Sequence, residues 1–173
     1  MIGHHEHMIS DIAVGDAGRR GLGVFALWAF HEGEFIFRRR HGRVAPSADL
    51  WMLSDDERRH LCELDFDTSV VLLPPGCYLN HSCDPNAMRS GVRVFAWRDI
   101  YRGDEITVDY QLNAFDDSDV SNCDCCSLSC PGIVTWSFFA LDGRRQQIYL
   151  PYAPDFIKRE YRLRRRSEEP HAR

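Results

Sequence analysis

The chain has 173 residues, of which 44% are hydrophobic and 27% charged, and it carries a formal charge of −5. This composition is typical of a single globular domain and argues against a general nucleic-acid-binding protein, which would be basic. No apolar run reaches the roughly 18 residues that a membrane-spanning helix requires, and the opening residues lack the basic-then-apolar order of a signal peptide. We therefore expect an intracellular protein, cytoplasmic or nuclear, with no membrane partner.

Short strands joined by tight turns are predicted for the first part of the chain. A Gly-x-Gly turn opens residues 21–26, and a second apolar stretch at 35–37 follows a His-Glu-Gly turn. Ser54 is a suitable N-cap with acidic residues directly behind it, which predicts a short helix over residues 54–64.

Further strands and one terminal helix are predicted in the rest of the chain. Apolar or alternating residues at 69–73, 92–97 and 105–110 are typical of strands. Apolar residues spaced among basic ones over 155–166 predict a helix. Many short strands with few helices indicate a β-rich α+β domain.

The most polar block of the chain is Tyr-Leu-Asn-His-Ser-Cys-Asp-Pro-Asn at residues 78–86, directly after a Pro-Pro-Gly breaker. It is unlike a core strand and offers many hydrogen-bonding groups from one compact loop. A polar turn closed by its last three residues is the simpler interpretation. The Gly-x-Gly turn also has two interpretations: close approach to a ligand, or an ordinary tight turn, which is the simpler of the two.

Seven cysteines are present, and four of them lie between residues 123 and 130. A chain of this length can bury a sufficient core without disulfides, and clustered thiols in an intracellular protein favour metal binding. The disulfide alternative requires an exported protein. Cys62 and Cys77 stand alone, and isolated cysteines are usually small buried apolar residues.

Four motifs occur together and in one order: the Gly-x-Gly turn, the Asn-His-Ser-Cys-Asp-Pro-Asn block, Gly-Asp-Glu-x-x-x-Asp-Tyr at residues 103–110, and a Cys-x-Cys-x4-Cys tail. In this the sequence resembles the SET-domain protein lysine methyltransferases, over approximately residues 15–135. The resemblance implies the SET-domain fold of small curved β-sheets. In that fold the Asn-His block and the Asp-Tyr strand meet in a pseudoknot, and a zinc-binding post-SET segment follows.

The resemblance also divides the chain into four parts. These are an N-terminal extension, a SET domain with a short insert, a post-SET zinc-binding segment, and a basic C-terminal helix and tail. The expected boundaries are 1–14, 15–112 with the insert at about 41–73, 113–150, and 151–173.

S-adenosylmethionine is the cofactor that the resemblance implies. The residues expected to contact it are Gly21, Leu22, Gly23, Asn80 and His81. In the family an apolar residue of the tail packs on the cofactor. Ile133, Trp136 and Phe138 are the candidates here, and we assign Trp136.

Tyr110 and Tyr78 are the catalytic residues that the resemblance implies, and the hydroxyl of Tyr110 would align the lysine amine with the methyl group. In this family the position two residues before Tyr110 influences how many methyl groups are added. Valine at position 108 departs from the usual phenylalanine or tyrosine. We hypothesise that the smaller side chain leaves room for di- or trimethylation.

Zinc is the second expected cofactor, with a structural role. A structural zinc site needs four ligands, and the tail supplies three thiolates. By resemblance the ligands are Cys83, Cys123, Cys125 and Cys130. Cys126 could enter the set in a different register.

The expected partner is a protein substrate with an exposed lysine in a basic segment, such as a histone tail. Acidic residues at 116, 117, 119 and 124 would favour such a segment, although a solvated loop is the simpler interpretation. Two other functions remain open at this stage: a catalytically silent SET-like module that binds a protein, and a methyltransferase acting on a small-molecule amine. The oligomeric state is left open.

Overall fold

The structure, a computed structural model, describes residues 11–168, and of Glu168 only the backbone. The first ten residues of the expected N-terminal extension and the end of the basic tail lie outside the described residues. Within the described part the secondary structure is dominated by short strands, which confirms the β-rich α+β class.

The strands are β1 (Ile12–Asp16), β2 (Leu22–Ala26), β3 (Phe35–Arg38), β4 (Arg40–Pro46), β5 (Leu61–Asp65), β6 (Thr68–Leu73), β7 (Asn80–His81), β8 (Ala87–Ser90), β9 (Arg93–Ala96), β10 (Glu105–Val108), β11 (Val120–Asn122) and β12 (Ile133–Thr135). The α-helices are α1 (Asp55–Arg59), α2 (Gly143–Tyr149) and α3 (Asp155–Glu168). Short 3-10 segments lie at Gly18–Arg20, Ser47–Met52, Gly76–Tyr78, Tyr110–Leu112 and Phe138–Ala140. None of the helices described here is long and apolar enough to cross a bilayer.

The strands form four small sheets, in the orders β1-β2-β10-β7, β3-β9-β8, β4-β6-β5 and β11-β12. The pairing of β7 with β10 is parallel and aligns Thr107 with Asn80 and Val108 with His81. The two motifs that the resemblance expects to meet therefore lie side by side. Fully buried apolar residues such as Val24 and Ile106 fill the core beneath this sheet.

The predicted insert is the sheet β4-β6-β5 with α1. Ser54 and Glu57 form the capping box that starts α1, as its sequence predicts. The predicted helix over residues 54–64 is nevertheless wrong in its second half, because α1 ends at Arg59 and β5 follows. Pairing with β6, where Cys62 lies opposite Val70, stabilises the residues of β5 more than an extension of a short exposed helix would.

A second core lies under the C-terminal part of the chain. Phe138, Phe156 and Ile157 are almost completely buried there, with Met88 and Leu112 from the first part of the chain. Helix α3 covers the predicted residues 155–166 and extends to Glu168. The C-terminal helix is thus packed against the segment that carries the clustered cysteines.

Candidate active site

The Gly-x-Gly turn joins the 3-10 segment Gly18–Arg20 to β2. Gly21 has φ = 75°, a left-handed conformation that favours glycine, and its N–H closes the turn on the carbonyl of Gly18. A Cβ atom on Gly23 would lie 2.6 Å from Glu105 Oε1 and 2.9 Å from the Cβ of Ala17. The chain itself therefore requires Gly21 and Gly23, whatever ligand the turn meets.

Asn80 lies at the end of this turn. Its side-chain amide donates to the carbonyl of Leu22 (3.0 Å) and to Glu105 Oε1 (2.7 Å), and Glu105 in turn accepts from Arg20. These bonds join β7, β2 and β10 at one point. No hydrogen bond to the Asn80 Oδ1 atom is formed within residues 11–168, so this oxygen is available to a ligand.

His81 is buried on β7, beside Cys83 and Tyr110. Burial, followed by the charges of Arg89 and Arg145, lowers the pKa of His81 to about 4, so the ring is neutral at physiological pH. Its Nδ1 accepts the N–H of Tyr110 (3.2 Å), which leaves the proton on Nε2, 3.2 Å from Cys83 Sγ. The imidazole therefore links Tyr110 to the first of the predicted zinc ligands.

Tyr110 begins a 3-10 turn that Asp109 caps through the N–H of Gln111 (3.0 Å). Its hydroxyl donates to the carbonyl oxygen of Leu79 at 2.6 Å, which fixes the ring against the strand that carries Asn80. Burial raises the pKa of the phenol, so it stays protonated at neutral pH. The hydroxyl oxygen keeps its lone pairs for a second partner.

The Tyr110 ring forms part of the wall of a cavity of about 380 Å³ between the main sheet, the insert and the cysteine-bearing segment. Its wall includes Val108, Leu79, Trp136, Glu63 and Asp119. The Gly-x-Gly turn, Asn80 and His81 are not part of this wall. Tyr110 and Trp136 thus stand between the cavity and the face where the cofactor is expected.

The aromatic candidates of the tail differ in exposure. Trp136 is half-buried, with its ring edge-on to His81 (4.8 Å between centroids) and 5.9 Å from Tyr110. Phe138 is completely buried in the second core, whereas Ile133 is 62% exposed. Among the three, Trp136 alone contacts the residues of the predicted site.

Tyr78 does not reach the cavity wall. It packs against the main core and lies edge-on to His60, with ring centroids 5.7 Å apart. Its catalytic role stays a prediction, and a packing role accounts for its contacts.

The clustered cysteines lie on the loop between β11 and β12, and they surround Cys83. The ligand atoms of His81, Cys83, Cys123 and Cys125 lie within 4.8 Å of one another. Cys83 Sγ and Cys123 Sγ are 3.9 Å apart, close to the roughly 3.8 Å that a tetrahedral zinc–thiolate site requires. This group could hold a metal ion.

Two side chains compete for the fourth ligand position. The Cys130 thiol interacts with those of Cys83, Cys123 and Cys125, and the His81 ring lies within the same group. Burial raises the pKa of Cys125, but the N–H groups of Cys83 and Ser127 outweigh this and lower it to about 7. Cys126 is exposed and its thiol contacts the carbonyl of Asp124 instead.

The acidic residues near the cysteines have different environments. Asp116 accepts from Ser118, which lowers its pKa, and Asp117 pairs with Arg164 of α3 at 3.7 Å. Asp119 lies in the cavity wall. Part of the predicted acidic surface is therefore neutralised by the C-terminal helix.

Sequence reasoning missed several residues that organise the site. Asn86, the last residue of the polar block, donates to the carbonyl of Glu105 and accepts the N–H of Thr107, so it fixes the block against β10. Arg39 and Arg89 are buried beside the cavity. The motif itself could have indicated Asn86, but no spacing signal connects the two arginines.

Comparison with known proteins agrees with this geometry. A family model described as the SET domain matches residues 21–111, just over half of the chain. The chain belongs to the SET-domain family, which confirms the resemblance seen in the motifs. The methyltransferase domain of human histone-lysine N-methyltransferase SETMAR has a similar structure, with a TM-score of 0.56 and 23% identity over 73% of this chain and 58% of that one. That likeness supports the fold.

Several curated relatives are named histone-lysine N-methyltransferases. Set9 of Emericella nidulans is 34% identical over 99 residues, which cover 49% of this chain and 15% of the relative. The H3 lysine-36-specific enzyme of Eremothecium gossypii is 30% identical over 142 residues, which cover 72% of this chain and 20% of the relative. ASHH3 of Arabidopsis thaliana is 30% identical over 127 residues, 64% of this chain and 34% of the relative. The chain thus spans between 15% and 34% of the length of these relatives.

Proposed function

We propose that this protein is an S-adenosylmethionine-dependent protein-lysine N-methyltransferase. It transfers methyl to the ε-amine of a lysine in a basic segment, such as a histone tail. The observation that carries this proposal is the position of Tyr110, whose hydroxyl is fixed on the Leu79 carbonyl in the wall of a cavity. The names of the relatives support the same reaction, and an intracellular location, nuclear or cytoplasmic, belongs to the proposal.

The residues beside the Gly-x-Gly turn fit S-adenosylmethionine. Leu22 is 47% exposed, Asn80 keeps an unbonded amide oxygen as an acceptor, and Trp136 offers a half-buried ring. Together they provide a polar contact and apolar surface of the kind that an adenosine needs. When bound, this cofactor supplies a methyl group on a positively charged sulfur.

Tyr110 would orient the acceptor amine. Because its hydroxyl proton is used by the Leu79 carbonyl, the hydroxyl oxygen presents lone pairs to the cavity. An amine N–H can donate to that oxygen, which positions the nitrogen and stabilises the positive charge that develops on it. The Nδ1 atom of His81 accepts the backbone N–H of Tyr110 and so fixes the position of that backbone.

Acidic side chains in the cavity wall suit a basic substrate segment. Asp119 and Glu63 both lie there, and burial raises the pKa of Glu63. Carboxylates in the cavity wall would attract lysine- and arginine-rich chains.

Zinc bound by Cys83, Cys123, Cys125 and Cys130 is the structural part of the proposal. The thiol spacing supports a four-coordinate site, and His81 Nε2 then serves as a hydrogen-bond donor to Cys83 rather than as a ligand. The metal would tie the loop that carries Trp136 to the strand that carries His81.

The test follows labelled methyl from S-adenosylmethionine into core histones and a protein lysate. We expect label on lysine, and about 10- to 1,000-fold slower transfer by a Tyr110→Phe variant, because phenylalanine lacks the orienting oxygen. Lys158 is the only lysine of the chain, so both proteins carry Lys158→Arg to remove self-labelling.

Both proteins must first show the same far-ultraviolet circular dichroism and zinc content. Cofactor binding without transfer to any protein would favour the small-molecule amine methyltransferase. Absence of both binding and transfer would favour the silent module. Equal transfer by the two proteins would remove Tyr110 from the mechanism.

A further inference from the structure

Two arginines are buried in the wall of the cavity that Tyr110 lines. Arg39 precedes β4 and Arg89 lies on β8, and they are 5% and 6% exposed. The guanidinium carbon of Arg89 lies 6.0 Å from the centre of the Tyr110 ring. Two cations are thus enclosed close to the group that would orient the substrate.

The contacts of these arginines are with uncharged acceptors. Arg39 donates to the carbonyl of Gly91 (2.8 Å) and lies 3.5 Å from Cys62 Sγ, while Arg89 donates to the backbone carbonyl of Asp109 (2.7 Å). The Nε atom of each arginine is buried without a hydrogen-bond partner. Across the described side chains, neither guanidinium forms an ion pair with a carboxylate.

The nearby carboxylates form no ion pair with these arginines. Asp109 Oδ1 accepts the N–H of Gln111 while its Oδ2 is buried without a hydrogen-bond partner, and Glu63 accepts the N–H of Phe115. Burial, followed by the charge of Arg39, lowers the pKa of Arg89 to about 10, which still leaves it charged at neutral pH. A buried charge without a hydrogen-bonded counter-charge is costly, and two positive charges that face one cavity repel each other.

An oxygen anion in the cavity would supply the missing counter-charge. Guanidinium groups bind carboxylate and phosphate through charge-assisted hydrogen bonds from their N–H groups. The cavity volume of about 380 Å³ is larger than such a group and leaves room for the chain that carries it.

We propose that the cavity binds an oxyanion, a carboxylate or a phosphate, between Arg39 and Arg89. If the proposed lysine methyltransferase function holds, the anion is an acidic or phosphorylated side chain of the substrate, within a few residues of the target lysine. The enzyme then selects lysines in basic segments that also contain one adjacent negative charge.

Equilibrium dialysis with radioactive inorganic phosphate tests the site without any enzyme assay. At constant ionic strength, we expect the native protein to bind one phosphate and an Arg89→Gln variant to bind it at least tenfold more weakly. Arg93→Gln is the matched control, because Arg93 lies on the same hairpin but is exposed and stacks on Phe35 (4.9 Å). Absence of phosphate binding by the native protein, or equal loss in both variants, would overturn the proposal.

A competition experiment identifies the source of the anion. Two lysine peptides, identical except for serine or phosphoserine two residues from the lysine, are compared as displacers of the labelled phosphate. We expect the phosphorylated peptide to displace it at a concentration at least tenfold lower than the unmodified peptide. Equal displacement would overturn the assignment to the substrate, and free phosphate would be the ligand. Since neither measurement needs methyl transfer, an inactive protein would contradict the proposed function and not this site.

Discussion

The backbone at Gly23 approaches its neighbours too closely for a side chain. Gly23→Ala would place a Cβ 2.6 Å from Glu105 Oε1 and 2.9 Å from the Cβ of Ala17. We expect a loss of about 1–3 kcal/mol in the free energy of unfolding, as for other overpacked sites. Urea unfolding measures it.

Gly143→Ala is the control for that experiment, because nothing lies within 4 Å of a Cβ at Gly143. Residue 143 begins α2, and alanine suits a helix better than glycine does. The stability of Gly143→Ala should therefore be unchanged or slightly higher than that of the native protein. If Gly23→Ala were as stable as Gly143→Ala, the close approach would not be a constraint.

Val108 determines how much space adjoins Tyr110. It is 1% exposed and lies in the cavity wall. We expect the native enzyme to produce di- or trimethyl-lysine and Val108→Phe to shift the products towards monomethyl-lysine, because the ring fills space that added methyl groups need. Mass spectrometry of a substrate peptide at long times with excess cofactor measures this.

The core position of Val108 makes a folding control necessary, since the larger ring can cost about 1–3 kcal/mol. Cofactor binding by Val108→Phe must match that of the native protein. Monomethyl-lysine as the only native product would contradict the hypothesis.

Residues that belong to a continuous motif could be placed from the sequence, and residues assembled from distant segments could not. Asn80, His81 and Cys83 lie in one block, so the motif predicted that they would act together, and the structure brings them together. Arg39 and Arg89 are 50 positions apart in a chain with 21 basic residues. Their burial depends on the packing of the insert on the β8–β9 hairpin, which no local pattern records.

Among the secondary-structure elements, too, local features could be predicted from the sequence and tertiary contacts could not. The capping box at Ser54 fixes the start of α1, and the sequence indicates it. The end of α1 depends on β5 pairing with β6, which is a tertiary contact. Helix α2 was not predicted, because its seven residues show no clear apolar periodicity.

Asp142 is the N-cap of α2, the helix that carries Arg145. Its carboxylate accepts the N–H groups of Arg144 and Arg145 at 3.0 Å each, and the Arg145 side chain donates to the carbonyl of Cys83. We expect Asp142→Ala to lower the free energy of unfolding by about 1 kcal/mol. Asp142→Asn keeps the capping oxygen and should lose much less. An equal loss in both variants would assign the effect to the charge rather than to the cap.

The whole molecule depends on connections between its two cores. The resemblance predicted that the Asn-His block and the Asp-Tyr strand meet, and the structure pairs β7 with β10 in parallel. The sequence did not predict that Gln111 donates to the carbonyl of Thr135 (2.9 Å), or that Arg164 lies 3.8 Å from the centre of the Phe139 ring. The first contact joins the turn that begins at Tyr110 to β12, and the second joins α3 to the 3-10 segment Phe138–Ala140.

Removal of zinc should loosen the loop between β11 and β12 without unfolding the sheet β1-β2-β10-β7. The loop between β11 and β12 has no α-helix or strand of its own, and its cysteines meet Cys83 from the first core. A chelator should therefore increase amide hydrogen exchange over residues 119–136, while β2 and β10 keep their protection, because their bonds do not involve the thiols. Loss of protection throughout the chain would show instead that zinc stabilises the whole fold.

The choice of ligands can be tested by zinc content after purification. We expect one zinc per chain in the native protein and in Cys126→Ser, because the Cys126 thiol contacts Asp124 and lies outside the cluster. Cys125→Ser and Cys130→Ser should lose the metal. His81→Gln should keep the metal, because glutamine can still donate a hydrogen bond to Cys83. If His81 were itself a ligand, this variant would lose the metal. Zinc retained by Cys130→Ser and lost by His81→Gln would assign the fourth position to the histidine, and the metal would then hold the Tyr110 backbone through a single imidazole ring.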